Sequence, residues 1–284
     1  MHATRSTVAA VAAALSIVGA WGLVARAQNP QNPVRLPLEP TRESGQGISP
    51  AYEGWYKNAD GTFTLLIGYF NRNRMQALDL PVGPNNRFEP GNADQGQPTH
   101  FLPRRQWGVM TIVVPANFGT QRLTWTITAN GETNSIPFWL NPAYEVMPFK
   151  DQANGNTPPV LKFQESGPDF TGPPRGTAAS LTTRAGEAMP LTLWATDKGP
   201  AAQEGRGRGG PGVTVFLSKY RGTGEVKFDN ARPTVGEGGQ TTANATFSDA
   251  GDYILRVQSN DSTGDGGGGF QCCWTNAHVR VAVK

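Results

Sequence analysis

The stretch FSDAGDYILRVQSND, residues 247–261, decides how the chain is read. In it Tyr253, Leu255 and Val257 alternate with Ile254, Arg256 and Gln258. That period of two puts one set of side chains into a core and the other on the opposite face of a strand. RLTWTITA, residues 122–129, repeats the pattern, with Leu123, Trp125 and Ile127 on one face and Thr124, Thr126 and Thr128 on the other. Turn formers separate such runs throughout: the 284 residues include 35 Gly and 23 Pro, and no long amphipathic helical pattern interrupts them. Short strands punctuated in this way read as an all-β fold, expected here as two β-sandwich domains.

The N-terminus, MHATRSTVAAVAAALSIVGAWGLVARAQNP, carries Arg5, an Ala/Val/Leu-rich run over 8–24 and Ala25-Arg26-Ala27 as an A-x-A cleavage site. This is the pattern of a signal peptide over 1–27. An uncleaved membrane anchor is the alternative, because the apolar run is close to the ~20 residues that span a bilayer. No cysteine lies near the cleavage site, which excludes a lipoprotein anchor. The expected location is periplasmic or extracellular. Cleavage removes Arg5 and Arg26 from the 25 basic residues, leaving 23 against 22 acidic, a net charge of +1. Such a balance gives no electrostatic reason to expect nucleic acid or an anionic membrane as partner.

A polar leader, 28–47, precedes an N-terminal module over 48–150, with strands expected at 62–70, 76–82, 107–115, 122–129 and 134–140. Residues 83–106 form a polar excursion rich in Pro, Gly and Asn, either a wandering connection between sheets or a functional loop. A second Pro/Gly-rich region, 149–177, contains the boundary to a C-terminal module over 151–284.

In the opening stretch, Asp249-x-Gly251-x-Tyr253-x-Leu255 resembles the tyrosine corner that begins strand F of immunoglobulin-like domains. The resemblance implies that the Tyr253 hydroxyl bonds back to local backbone. Residues 185–197 then look like strand B, 213–220 like C, 241–247 like E and 276–283 like G. The module is similar to bacterial Ig-like and polycystic-kidney-disease-type sandwiches. Leu193 and Leu255 stand where antibody-type domains place a disulfide. Apolar burial worth ~1.5–3 kcal/mol per large side chain is expected to replace that staple.

The only cysteines, Cys272 and Cys273, are adjacent. A metal site shared with His278 fails on distance: six residues of strand separate Cys272 from His278 by ~20 Å, against bonds of ~2 Å to an ion. A vicinal disulfide is a candidate in an oxidising compartment, beside buried thiols and intermolecular bridging. Even positions Phe270 and Trp274 and odd positions Ala277, Val279, Val281 and Val283 suggest a bulge near Thr275-Asn276. Asp261 and Asp265, in a Gly-rich loop, are weak calcium candidates. Trp55 and Tyr56, beside Glu53 and Lys57, are expected to be exposed and are the ligand-contact candidates. RGRGG within 199–212 reads as a loop between strands. No G-x-S-x-G or H-E-x-x-H occurs, and only His100 and His278 remain after cleavage. The expectation is an exported, non-catalytic binding or structural protein without a cofactor. Its expected partner is a protein, with an accessory role on the periplasmic face of a membrane complex as the specific form. A carbohydrate-binding module or glycoside-directed enzyme is the alternative.

Overall fold

The computed structural model describes residues 42–152, 155–198, 212–261 and 272–284. The signal-peptide segment, most of the polar leader, residues 199–211 and Asp265 lie outside the described residues.

The N-terminal half contains β1 (Ile48–Lys57), β2 (Phe63–Asn71), β3 (Leu78–Asp79), β4 (Asn86–Glu89), β5 (His100–Phe101), β6 (Arg104–Val114), β7 (Leu123–Ala129) and β8 (Glu132–Phe138). Sheets β1-β2-β6 and β4-β7-β8 pack their apolar faces together, and β3 pairs with β5. The alternation in β7 supplies Leu123, Trp125 and Ile127 to this core, opposite the cross-strand row of Trp55, Leu65 and Ile112. Phe88 stacks on Trp125 at 5.3 Å, and the indole N–H donates to Asn86 Oδ1 at 2.9 Å, so no buried donor is wasted. Asn130 (φ 51°) and Gly131 (φ 80°) turn β7 into β8, since a two-residue hairpin of this kind needs positive φ at both central positions.

Three elements depart from the sequence reading. β1 was not legible because a register shift between Tyr52 and Gly54 breaks its alternation. The strand expected at 76–82 shrinks to Leu78–Asp79, since Pro81 has no N–H for a ladder. The polar excursion contains β4, whose register with β7 pairs Phe88 with Trp125.

The C-terminal half contains β9 (Val160–Lys162), β10 (Phe170–Thr171), β11 (Ala179–Thr183), β12 (Ala188–Thr196), β13 (Thr214–Arg221), β14 (Val226–Phe228), β15 (Gln240–Phe247), β16 (Gly251–Asn260) and β17 (Trp274–Val283). One sheet has the order β10-β9-β12-β15-β14, the other β11-β17-β16-β13, with β11 parallel to β17. Strands β9, β12, β15 and β14 take the places of A, B, E and D, and β17, β16 and β13 those of G, F and C. That is the immunoglobulin-like arrangement. Leu193 and Leu255 are fully buried in the core between the sheets, together with Phe247, Tyr253, Val279 and Val281.

The bulge expected near Thr275-Asn276 is absent. The β16–β17 ladder runs without a shift from Gly251↔Val283 to Asn260↔Trp274. The two apolar sets in β17 reflect burial of both faces: Ala277, Val279 and Val281 enter the sandwich core, while Trp274 on the other face packs against Gly108 of β6. Both halves belong to one compact unit, Thr41–Lys284.

Candidate functional site

Where the halves meet, several polar side chains are buried, and they form the first cluster of interest. Gly108 (φ 50°) sits at a bulge in β6, where the register with β2 shifts between Ile67 and Tyr69. The bulge turns backbone carbonyls toward β16 and β17. Arg256, buried, reaches Gln106 Oε1 at 2.8 Å and the Trp107 carbonyl at 3.0 Å, and holds Asn276 Oδ1 at 2.8 Å. Asn276 Nδ2 donates to the Trp107 and Gly108 carbonyls, and His278 Nε2 donates to the Val109 carbonyl at 3.1 Å. Burial holds His278 down at about 4, with the Arg256 charge adding to the effect, so the ring is neutral near pH 7.

Glu53 braces the same bulge from β1. Its carboxylate meets Arg105 at 2.6 Å and accepts from Gly108 N–H at 2.7 Å. Complete burial pushes Glu53 up to about 7, against the pull of Arg105 and the Gly108 bond.

The polar excursion makes a second cluster and turns out to be a strap. Arg221 forms a two-pronged pair with Asp94 (2.7 and 3.1 Å) and donates to the Gln97 carbonyl. The Tyr220 hydroxyl reaches the Gly96 carbonyl at 2.6 Å, and Thr99 N–H donates to the Tyr220 carbonyl at 3.0 Å. Alongside, Asp79 Oδ1 accepts from Lys219 Nζ at 2.9 Å and from His100 Nδ1 at 3.0 Å. Burial works to raise the Asp79 carboxyl, but those two bonds outweigh it and hold the group below its usual range. Burial likewise lowers His100, against the pull of Asp79. A cavity of about 410 Å³ opens beside Asp79, Thr99, Arg221 and Asp252. Asp79, Asp94 and Arg221 carried no sequence signal, because nothing local relates residues more than a hundred positions apart.

The residues singled out from sequence fall in several places. The Tyr253 hydroxyl donates to the Asp249 carbonyl at 2.8 Å and accepts from Gly224 N–H at 3.1 Å, while Gly251 adopts φ 151° between them. Cys272 and Cys273 are joined by a disulfide just before β17. His278 lies away from them, on the Val109 carbonyl. Asp261 is buried and accepts from Asn156 Nδ2, so its carboxylate serves the segment between the halves. No cluster of three metal-ligating side chains occurs among the described residues. Trp55 and Tyr56 are buried, not exposed. Trp55 enters the N-terminal core and its indole N–H donates to the Asn141 carbonyl at 2.7 Å, while Tyr56 is covered by Phe149. The charged neighbours Glu53 and Lys57 misled the reading, because Glu53 is itself buried at the seam. Phe70 and Tyr144 are the exposed aromatic rings among the described residues, and Tyr144 stacks on Tyr52 at 5.1 Å close to Trp139.

No protein-family model and no curated protein sequence matches the chain. Among solved structures it is similar to domains 4 and 5 of the S-layer protein SbsC, at 12% identity and a TM-score of 0.25, covering 84% of this chain and 98% of that one. The D0-D1 domain of intimin is similar at 12% identity and a TM-score of 0.24, covering 83% and 97%. Fibronectin(III)-like modules of Clostridium thermocellum CbhA follow at 14% and 0.22, covering 84% and 94%. Likeness at this level carries no functional argument. No helix among the described residues is long and apolar enough to cross a membrane.

Proposed function

We propose that the chain is an exported, non-catalytic binding or structural protein that acts through protein–protein contacts. In this reading a signal peptide over 1–27 is removed, and a sandwich domain over 48–150 carries an Ig-like domain over 151–284. The Ig-like domain is of the polycystic-kidney-disease type. The supporting observation is the use made of inward-facing polar groups: Arg256, Lys219 and the neutral His278 spend their polar atoms on groups of the N-terminal half. Polar interiors used in this way stiffen a scaffold and leave its end loops and edge strands for partners. The specific role proposed is an accessory subunit on the periplasmic face of a membrane complex.

Purification from periplasm and membranes, followed by mass spectrometry, tests this reading. It expects a stoichiometric protein partner that stays bound through gel filtration, and a mature N-terminus at Gln28. A monomer that turns over a substrate would overturn it. Carbohydrate binding is the second reading, favoured by the half-exposed Tyr144 ring beside Trp139 and the Arg122 guanidinium, 4.9 Å over the Trp139 ring. Glycan-array binding that disappears with Tyr144→Ala would select it; an array without signal would remove it.

A further inference from the structure

On the outer face of the sheet β1-β2-β6, Tyr56, Thr64 and Val113 form one cross-strand row, since Tyr56 pairs with Thr64 and Thr64 with Val113. The core row of Trp55, Leu65 and Ile112 alternates with it on the opposite face. The outer row floors a cavity of about 630 Å³, walled by Phe149 and Arg175. Phe149 stands edge-on to the Tyr56 ring at 5.3 Å, and the Arg175 guanidinium lies over Phe149 at 4.7 Å. The segment leading into Arg175 is fixed to both β17 and β6. Gly172 exchanges bonds with Thr275 Oγ1 and Asn276 N–H, each at 2.9 Å, and the Pro174 carbonyl accepts from Thr111 Oγ1 at 2.7 Å. The cavity is therefore framed by pinned backbone.

Two of its polar groups, Tyr56 and Arg175, are donors that lie side by side. Tyr56 is 6% exposed, and its buried hydroxyl has Arg175 and Thr64 as neighbours but no acceptor in good hydrogen-bond geometry. Arg175 lies over Phe149 and also beside the Tyr56 hydroxyl, to which it can only donate. The lining carboxylate, Asp60, is already engaged by Thr62 N–H at 3.0 Å and Thr62 Oγ1 at 2.6 Å. Thr64 is engaged by Asn58. A guanidinium can only donate, and it cannot accept the tyrosine proton. A buried hydroxyl without an acceptor is costly, and a planar fork of N–H groups matches a carboxylate in two-pronged geometry. Lys57 adds a second positive charge to the lining. Exposed Val113 and the Phe149 ring offer an apolar wall, which suits an organic body and not a bare inorganic ion.

We propose that this cavity is a binding site for an organic carboxylate, with Arg175 taking the carboxylate, Tyr56 donating its hydroxyl proton to it, and Phe149 and Val113 contacting the attached body. Two sources share that chemistry: an acidic sugar and the free C-terminus of a peptide.

The test uses the full mature chain, titrated by calorimetry and by NMR with glucuronate, with an acetylated dialanine bearing a free carboxylate, with the amide of each, and with inorganic phosphate. Saturable binding of one or both carboxylates, with their amides silent, is expected, and the tighter probe identifies the source. Arg175→Gln and Tyr56→Phe should each weaken it about tenfold, the worth of one charge-assisted hydrogen bond. Both variants should keep the wild-type circular dichroism, so that a change in affinity reports the site; should Tyr56→Phe misfold, Arg175→Gln decides alone. Absence of carboxylate binding, equal binding of the amides, phosphate binding as tight as the carboxylates, or affinity unchanged in Arg175→Gln would each overturn the proposal.

Discussion

At Gly108 a side chain is forbidden twice over. A Cβ there would lie 1.8 Å from the Trp274 ring, and the residue holds φ 50°. Gly108→Ala is therefore expected to cost ~2–3 kcal/mol, from overpacking and backbone strain together, read as a lower urea midpoint at unchanged slope. Tyr253→Phe removes the hydroxyl that closes the corner between Asp249 and Gly224, and should cost ~1–2 kcal/mol in the same assay. Two buried groups give opposite pH dependences. Glu53 is raised from 4.5 to about 7, so its contribution is full below about pH 4.5 and is lost as pH rises through about 7. His278 is lowered from 6.5 to about 4, so its contribution is full above about pH 6.5 and is lost as pH falls through about 4. Urea midpoints followed across pH should lose the decline toward neutral pH in Glu53→Gln, and the decline toward acid in His278→Gln. An unchanged profile in either variant would show that the group does not titrate as its burial requires.

Among the elements, the strands with alternating side chains were legible, β7, β12, β15, β16 and the apolar part of β17, and β2 was legible as an apolar run after a turn. Those that failed did so for local reasons, a bulge in β1 and a proline beyond β3. The excursion between β3 and β6 shows a different limit. Its Pro, Gly and Asn content marked it as irregular, but its purpose came from Tyr220, Arg221 and Lys219 in β13, which fasten to it and to Asp79. β16 carries the strongest single link. Arg256 serves Gln106, Trp107 and Asn276 at once, and its loss would leave buried acceptors unpaired. Arg256→Ala should cost ~3 kcal/mol or more, whereas Asp94→Ala, which breaks a partly exposed pair, should cost ~0.5–1 kcal/mol.

For the whole molecule, a seam built from Trp274, Arg256 and the strap should make the two halves melt as one transition by calorimetry. Arg256→Ala is expected to split it into two calorimetric transitions. Two transitions in the wild type would mean that the seam adds little. The candidate site divides along the same line. Tyr253, Asp249 and Gly251 could be read as a corner because they are four residues apart and their geometry is local. Trp55 and Tyr56 could not be read as buried, nor Arg175 as the wall over Tyr56, because the covering segments come from distant positions. The sequence alone determined an all-β chain with an Ig-like C-terminal sandwich, since strand period and turn chemistry act between neighbours. Only the tertiary structure decided that β17 is buried on both faces, that the excursion is a strap, and that Arg175 and Tyr56 share one cavity. Those facts depend on which surfaces exclude water from each other, and periodicity carries no record of that.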